Sequence, residues 1–204
     1  VRRIALYDGS AELGEVAGGA TATFTGLNVT APDNASKTLT LRASFAASVM
    51  DNQPISFTVF SATAAASGSG FAASDAGGAA TSTTGDRNRI EVMATQLAFS
   101  SIPVSVVDVG AAFSASVRAQ DANGNLDVDS AASVTMSRAS GTGTVGGGSA
   151  QALVSGVGTF AALTYDVAES FTLQAAAIGL TAGTSGSVSA EVDAPSAFSA
   201  TASS

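Results

Sequence analysis

The stretch Phe113-Ser114-Ala115-Ser116-Val117-Arg118-Ala119-Gln120, followed by Asp121-Ala122-Asn123-Gly124-Asn125, decides the fold. Apolar residues occupy every second position of its first eight residues, the period of a strand with one buried face. The Asn-Gly pair that follows is a strong hairpin signal, because both residue types tolerate the positive φ angles of a type I′ turn. The stretch therefore predicts a strand over 113–120, ended by a type I′ turn at Asn123-Gly124.

Short alternating runs of the same kind recur along the whole chain between turn residues, which is typical of a β-sandwich. In the C-terminal half, these runs together with 113–120 number about seven, which is the strand count of an immunoglobulin-type sandwich. The further C-terminal runs are 97–99, 133–137, 151–154, 158–160, 170–176 and 187–192. The N-terminal runs are 4–7, 20–24, 27–30, 37–43 and 55–60, followed by a weakly patterned stretch, 64–85, read as a long loop with at most one poor strand near Phe71.

A domain boundary is predicted at Gly85-Asp86-Arg87-Asn88-Arg89, the only charge-dense stretch of the chain. The fold class expected is all-β, with two tandem immunoglobulin-like β-sandwiches. Residues 1–88 form the first, which lacks its leading strand and is incomplete or edge-open. Residues 89–193 form the second, and 194–204 are an extended tail or the start of another domain. The opening Val1-Arg2-Arg3-Ile4 has no initiator methionine, so we expect a mature or excised product.

Composition excludes several classes of function. The 204 residues include no Cys, His or Trp, so thiolate and imidazole chemistry is unavailable, and with it zinc, haem, iron–sulfur and His-based triads. The net charge is −8 with a single lysine, Lys37, which argues against nucleic-acid binding because phosphates require a clustered basic surface. No run of 18 apolar residues is present, so we expect no membrane insertion.

The C-terminal half resembles the bacterial immunoglobulin-like repeats of adhesins and large surface proteins. The resemblance covers roughly residues 94–192 and is carried by Leu97-Ala98-Phe99, 117–125, 134–137, 158–163 and 171–175. It implies an array of modules at the bacterial cell surface and transfers no functional residue. The N-terminal half is similar, more loosely, to another surface-protein repeat through 6–9, 22–27 and 37–41, and the segment 193–204 resembles the linker and first strand of a fibronectin type III domain.

The densest polar cluster is a calcium candidate. Oxygen-bearing side chains at alternate positions suit a cation that takes six to eight oxygen ligands, and here they are Asp121, Asn123, Asn125, Asp127 and Asp129. An EF-type loop would need Gly and Glu where Leu126 and Ala132 stand, so a plain turn is the competing interpretation. The pair Asp127/Asp129, which would share a face on a strand, is the part that a turn leaves unexplained. Catalysis by this pair is not expected, and no other cofactor is predicted.

The glycine-rich stretch Gly141-Thr142-Gly143-Thr144-Val145-Gly146-Gly147-Gly148 invites comparison with a phosphate-binding loop. Such loops carry a lysine and lead into a helix, and neither follows here. The stretch is therefore predicted to be a loop that connects two strands.

The expected function is structural rather than enzymatic: a subunit or module of an extracellular filament, sheath or surface layer. An open sheet edge is normally covered, and a strand from another copy of the chain can cover it. The tail 196–202 alternates, with Phe198, Ala200 and Ala202 on one side, so we predict head-to-tail self-assembly anchored by Phe198. The alternatives are an adhesin, an accessory binding module of a secreted polysaccharide-degrading enzyme with a glycan as partner, or a monomeric spacer.

Overall fold

A computed structural model describes residues 1–30, 37–59, 62–63, 70–71, 74–78, 89–103 and 106–192. These residues form an all-β, sandwich-type fold and contain no helix. No helix long and apolar enough to cross a membrane occurs in them. The chain divides into two compact units, Val1–Val49 and Met50–Ser204. The limits 1–88, 89–193 and 194–204 stay predictions.

Seventeen strands make up the described part of the chain. In the first unit they are β1 (Arg3–Asp8), β2 (Ala11–Ala17) and β3 (Thr40–Ser44). In the second unit they begin with β4 (Ser56–Val59), β5 (Ala62–Thr63), β6 (Gly70–Phe71), β7 (Ser74–Gly78), β8 (Gln96–Ser101), β9 (Val107–Asp108) and β10 (Phe113–Gln120). They continue with β11 (Ser133–Ser140), β12 (Val145–Gly146), β13 (Gln151–Ala152), β14 (Val157–Tyr165), β15 (Ser170–Ala176), β16 (Gly183–Thr184) and β17 (Val188–Glu191).

The first unit is a three-stranded antiparallel sheet in the order β2-β1-β3. The β1–β2 hairpin turns at Gly9, whose φ of 59° favours glycine. Ile4 and Ala5 are its buried residues. On the polar face, the Arg42 guanidinium lies 4.2 Å from the centre of the Tyr7 ring, a cation–π contact.

The predicted strands at 20–24 and 27–30 are wrong, because neither segment enters a sheet. β1 pairs instead with β2, which the alternation pattern did not single out. A two-residue reversal at Gly9-Ser10 brings β2 onto β1 locally, whereas the small side chains of Thr21-Ala22-Thr23 offer little apolar surface to bury. The predicted strands at 4–7, 37–43 and 55–60 are confirmed, the last two in shortened form.

The weakly patterned stretch contains more pairing than expected. β4 pairs with β7 and β5 pairs with β6, both antiparallel. The strand near Phe71 is thus confirmed as β6, while β7 was not predicted.

The C-terminal part of the second unit is a sandwich of two sheets. One sheet has the order β12-β14-β10-β8, and the other has the order β13-β11-β15-β17-β9 with β16 also paired to β15. All seven strands predicted between residues 97 and 192 are present. The strand β10 has the predicted limits, with Phe113, Ala115, Val117 and Ala119 buried on one face.

The core lies between these two sheets. Its centre is a stacked aromatic pair, Tyr165 and Phe171, whose ring centroids are 3.8 Å apart with an interplanar angle of 8°. Phe113 approaches Phe171 at 6.1 Å in a tilted arrangement. The other fully buried large side chains are Leu163, Leu173, Val117, Val134 and Val188. Each such side chain contributes about 1.5–3 kcal/mol on burial, so the sandwich needs no disulfide.

Candidate functional site

The residues proposed for calcium lie in the loop between β10 and β11, at one end of the sandwich. Asp121 forms an Asx turn there: its Oδ1 accepts the Asn123 N–H at 2.9 Å and the Asn125 N–H at 2.8 Å. The Asn125 side-chain amide donates to Asp121 Oδ2 at 2.8 Å. Partial burial opposes ionisation of Asp121, but the hydrogen bonds from Asn125 and Asn123 outweigh it and lower the pKa of this carboxyl.

The type I′ turn predicted at Asn123-Gly124 is wrong in its detail. Gly124 has a φ of 85°, but Asn123 is not among the described residues with positive φ. The pair of positive angles occurs instead at Ser155 (50°) and Gly156 (74°). Val154 and Val157 exchange backbone hydrogen bonds across that turn. The Asp121 side chain supplies the hydrogen bonds that shape its own turn, which removes the need for a second positive φ.

Asp127 and Asp129 do not lie on a strand, so the expectation that they share a strand face is wrong. Asp127 Oδ2 accepts the Ala94 N–H at 2.9 Å. Asp129 Oδ1 accepts the Asn52 side-chain amide at 3.1 Å, and its Oδ2 lies 3.2 Å from an Arg89 guanidinium nitrogen. These two carboxylates therefore bind the chain segments that precede the sandwich, which explains the feature that a turn alone does not.

Asp51 completes this arrangement. Its Oδ1 accepts the Asn52 N–H at 2.9 Å and the Val92 N–H at 2.8 Å. Its Oδ2 accepts the Val128 N–H at 2.8 Å. One side chain thus joins three segments of the second unit. Backbone hydrogen bonds from Asn52 to Ile90 and from Ile90 to Gln53, each 2.9 Å, hold two of these segments together.

We call the set Asp51, Asn52, Arg89, Asp127 and Asp129 the carboxylate junction. Its one cation, Arg89, is only 9% exposed and also forms an ion pair with Glu91 at 2.7 Å. The Arg89 Nε and Asn52 Oδ1 atoms are buried without a hydrogen-bond partner in the described part of the chain. A buried guanidinium requires compensating anions, so the surrounding carboxylates stabilise Arg89 as well as the backbone.

The carboxylates proposed as calcium ligands already have partners within the protein. The carboxylate oxygens of Asp121, Asp127 and Asp129 accept hydrogen bonds or pair with Arg89. Over the described residues, no group of three or more acidic side chains converges in a way that could hold a metal ion. The calcium site at Asp121, Asn123, Asn125, Asp127 and Asp129 and the competing plain turn both stay hypotheses.

The glycine-rich loop is a second place where carboxylates bind backbone donors. The Thr142 N–H donates to Glu169 Oε1 at 2.5 Å, and the Gly143 N–H donates to the same oxygen at 3.1 Å. The Thr144 N–H donates to Asp166 Oδ1 at 2.5 Å. The amides that resembled a phosphate cradle are therefore occupied by the protein's own carboxylates.

The buried Tyr165 hydroxyl belongs to the same loop. It donates to Glu169 at 2.7 Å and accepts the Gly143 N–H at 2.9 Å. The hydrogen bonds from Thr142, followed by that from Tyr165, lower the pKa of Glu169 to about 2. Burial, and then the bond to Glu169, raises the pKa of Tyr165. The prediction of a plain loop over 141–148 is wrong in part, because the stretch contains β12 (Val145–Gly146); only 141–144 form the loop, which connects β11 of one sheet to β12 of the other.

A cleft of about 720 Å³ lies beside β8. It is lined by 97–102 on one side and by 182–184 and Gly186 on the other. None of these lining residues is titratable, and Phe99 is the one aromatic among them. The cleft therefore carries no acid or base. The residues proposed for self-assembly, Phe198, Ala200 and Ala202, lie outside the described residues.

Asp51, Arg89, Glu169 and Asp166 were not singled out by sequence reasoning. Asp51 stands in an ordinary turn sequence, Asp51-Asn52-Gln53-Pro54, and gives no separate signal. The useful signal was the pair Asp127/Asp129, an unexplained acidic doublet beside a turn. For Glu169 and Asp166, the sequence offered no comparable signal.

Comparison with known proteins gives no family. No protein-family model matches the chain, and no curated protein matches it. Among solved structures it is similar to a β-glycosidase from Bacteroides vulgatus, with 12% identity and a TM-score of 0.40 over 92% of this chain and 21% of that one. It is also similar to a glycosyl hydrolase family 2 member from Bacteroides cellulosilyticus, with 10% identity and a TM-score of 0.39 over 93% and 22%. The chain spans about a fifth of the length of these structures.

Proposed function

We propose that this chain is a non-catalytic structural module of an extracellular assembly, in which the sandwich holds neighbouring chain segments in a fixed geometry. The observation that carries the proposal is the carboxylate junction. Three aspartates bind backbone or side-chain donors from segments that precede the sandwich, and none of the contacts depends on a ligand. A module whose role is to set the position of its neighbours needs such a junction.

The strength of the junction comes from its charge. Hydrogen bonds to ionised groups contribute about 1.5–3 kcal/mol each, roughly twice the value for neutral pairs. Asp51 accepts two such bonds from other segments, at Val92 and Val128. Asp127 accepts one more from Ala94. Together these bonds make separation of the segment 89–94 from the sandwich unfavourable.

The chemistry of the described residues also supports a structural role. The carboxylates of the loop between β10 and β11 are engaged by donors, and those of Asp166 and Glu169 close the glycine-rich loop. The cleft beside β8 lacks titratable side chains. A general acid and a general base in one cleft are the minimum for glycoside hydrolysis, and the residues that line the cleft beside β8 include no such pair.

Self-assembly through the tail is the finer part of the proposal. The segment 196–202 alternates, with Phe198, Ala200 and Ala202 on one side, and it would add as a strand to a sheet edge of another copy. Negative-stain microscopy of the full chain and of a variant lacking residues 194–204 tests this directly. We expect filaments or sheets from the full chain and monomers from the truncated one. Assemblies that persist without the tail would exclude it as the connector.

The cleft beside β8 favours one second candidate, an accessory binding module with a neutral ligand. Its lining of Phe99, Ile102 and small residues offers apolar contact and no charge. A glycan array probed with the full chain and with Phe99→Ala tests this candidate. Binding that is lost in the variant would favour the binding module, and absence of binding would leave the structural role as the better account.

A further inference from the structure

The second and last strands of the sandwich, β9 and β17, are paired in parallel. Val107 and Asp108 of β9 pair with Ala190 and Glu191 of β17. The Val109 N–H donates to the Glu191 carbonyl at 2.9 Å. Parallel pairing of this kind is uncommon beside the antiparallel pairs that make up the rest of the sandwich.

A second parallel contact lies at the other end of the same two chain segments. Gln96 and Thr181 form a parallel bridge. The Leu97 N–H donates to the Thr181 carbonyl and the Thr181 N–H donates to the Thr95 carbonyl, both at 2.9 Å. The chain that enters the sandwich is therefore joined to the chain that leaves it at two places, at opposite ends of the fold.

The β9–β17 contact is covered by the core, and Leu97 covers the entering side of the second contact, where Thr95 and Thr181 themselves are exposed. Leu97 and Val107, on the entering side, are 3% and 8% exposed. Val188 and Ala190, on the leaving side, are each 2% exposed. Because Val107, Val188 and Ala190 exclude water, the backbone hydrogen bonds between β9 and β17 cannot be replaced one at a time by bonds to solvent.

This geometry determines how the sandwich responds to tension along the chain. A pull on the entering and leaving segments acts along the strand axes and in opposite directions, so the hydrogen bonds are sheared rather than opened in turn. All bonds of a patch then share the force and must break together. A pull applied to the same end of both strands would open the bonds one after another.

We infer that the two parallel contacts, between β9 and β17 and between Gln96 and Thr181, form a shear clamp, and that the sandwich bears tension along the chain. The inference rests on the proposed structural function and specifies it: the module resists being pulled apart by force transmitted through its neighbours. The carboxylate junction lies next to the entering end of the clamp. Its bonds at Ala94, Val92 and Val128 would receive the force first.

Single-molecule force spectroscopy on the full chain tests the clamp. The chain has no cysteine, so paired cysteine substitutions give unique attachment points. Met93→Cys with Val192→Cys pulls the clamp in shear, and both positions are 74% exposed. Ala111→Cys with Val192→Cys pulls β9 and β17 apart from the same end. Neither pair changes a buried side chain.

We expect a distinctly higher rupture force for the shear pair than for the opening pair at the same loading rate, because forced unfolding reports the unfolding barrier. The extension released in shear should be on the order of 30 nm, the length of the unfolded sandwich at about 3.5 Å per residue. Equal rupture forces in the two directions would overturn the clamp. Such a result would leave the junction, and with it the proposed function, untouched.

A matched pair of backbone variants isolates the hydrogen bonds themselves. Val109→Pro with Thr181→Pro removes two N–H donors of the clamp, whereas Val109→Ala with Thr181→Ala shortens the same side chains and keeps both donors. We expect the proline variant to lose the high-force peak and the alanine variant to keep it. Circular dichroism first establishes that both are folded. If the proline variant does not fold, the comparison of pulling directions on the unmodified backbone decides the question.

Discussion

The Val128 N–H donates a 2.8 Å hydrogen bond to the Asp51 carboxylate, across 77 residues of chain. The second oxygen of the same carboxylate accepts the Val92 N–H. Asp51 therefore lies between the segment that enters the sandwich and the loop that joins its two sheets. A side chain in that position couples the placement of the entering segment to the folding of the sandwich itself.

Replacing Asp51 should release the entering segment. In Asp51→Ala the Val92 and Val128 N–H groups lose their acceptor, and a loss of about 1.4 kcal/mol corresponds to about tenfold faster amide exchange. We expect at least that acceleration at both amides, measured by hydrogen exchange with residue resolution. Asp51→Asn, which keeps one acceptor oxygen, should give an intermediate effect. Asp108→Asn, at an exposed carboxylate of β9, is the control and should leave both amides protected.

Gly156 and Gly124 should respond differently to the same substitution. Both have positive φ, 74° and 85°. A Cβ on Gly156 would overlap the Asp127 carbonyl oxygen, whereas a Cβ on Gly124 would meet nothing within 4 Å. Gly124→Ala should therefore lower the free energy of unfolding only through the strain of an alanine at positive φ, by about 1 kcal/mol. Gly156→Ala should cost clearly more, and chemical denaturation of the two variants measures the difference. Equal losses would show that the contact at Asp127 yields easily.

The Glu169 carboxylate should make the stability of the sandwich depend on pH in the acid range. Its pKa falls from an ordinary 4.5 to about 2 in the folded chain. Its contribution is therefore complete above pH 4.5 and is lost as pH falls toward 2. We expect Glu169→Gln to lower the Tm at neutral pH and to flatten the Tm profile between these two values. A profile parallel to that of the unmodified chain would contradict the assignment of this carboxylate to the Thr142 and Gly143 amides.

The Tyr165 hydroxyl should contribute separately from its ring. Tyr165→Phe keeps the stack on Phe171 but removes the hydroxyl that donates to Glu169 and accepts from Gly143. A net loss of about 1 kcal/mol is expected, the usual value for a buried hydrogen bond. Thr164→Val, in the neighbouring half-buried position of β14, provides a control for changing a hydroxyl outside this contact. Thermal unfolding of both variants measures the difference.

Removal of calcium should leave the loop between β10 and β11 unchanged. Asp121, Asp127 and Asp129 already have donors or a cation as partners, so a calcium ion would have to displace them. We expect the same Tm with excess calcium and with a chelator. A rise in Tm with calcium that Asp127→Asn abolishes would establish the metal site predicted from the sequence.

Strands with strong alternation could be predicted from the sequence. The limits of 113–120 and 170–176 agree with β10 and β15, because each strand buries one apolar face in the core. The segment 20–24 alternates as well, but its apolar members are mostly alanine and bury little area. β2 contains two glutamates and a glycine, yet a tight turn places it beside β1. The tight turn after β1, and not an alternating pattern of apolar residues, therefore determines which segment pairs with β1.

The junction could be predicted only in part. The doublet Asp127/Asp129 stood out because the turn at Asn123-Gly124 does not require a pair of acidic residues after it. The side chains that contact Asp129, Asn52 and Arg89, lie 77 and 40 residues from it in the chain. Nothing local marks either of them, since contacts between a side chain and a distant part of the chain leave no periodic pattern. The acceptors of the glycine-rich loop were hidden for the same reason.

The central claim is that the entering segment is held in one position on the sandwich. Spin labels at Met50→Cys and Val167→Cys, both exposed and at opposite ends of the sandwich, measure this by pulsed electron resonance. We predict one narrow distance distribution, on the order of 30 Å for strands of this length. The distribution should broaden when Asp51→Ala and Asp127→Ala are added. A broad distribution in the chain that carries only the two labels would contradict the claim.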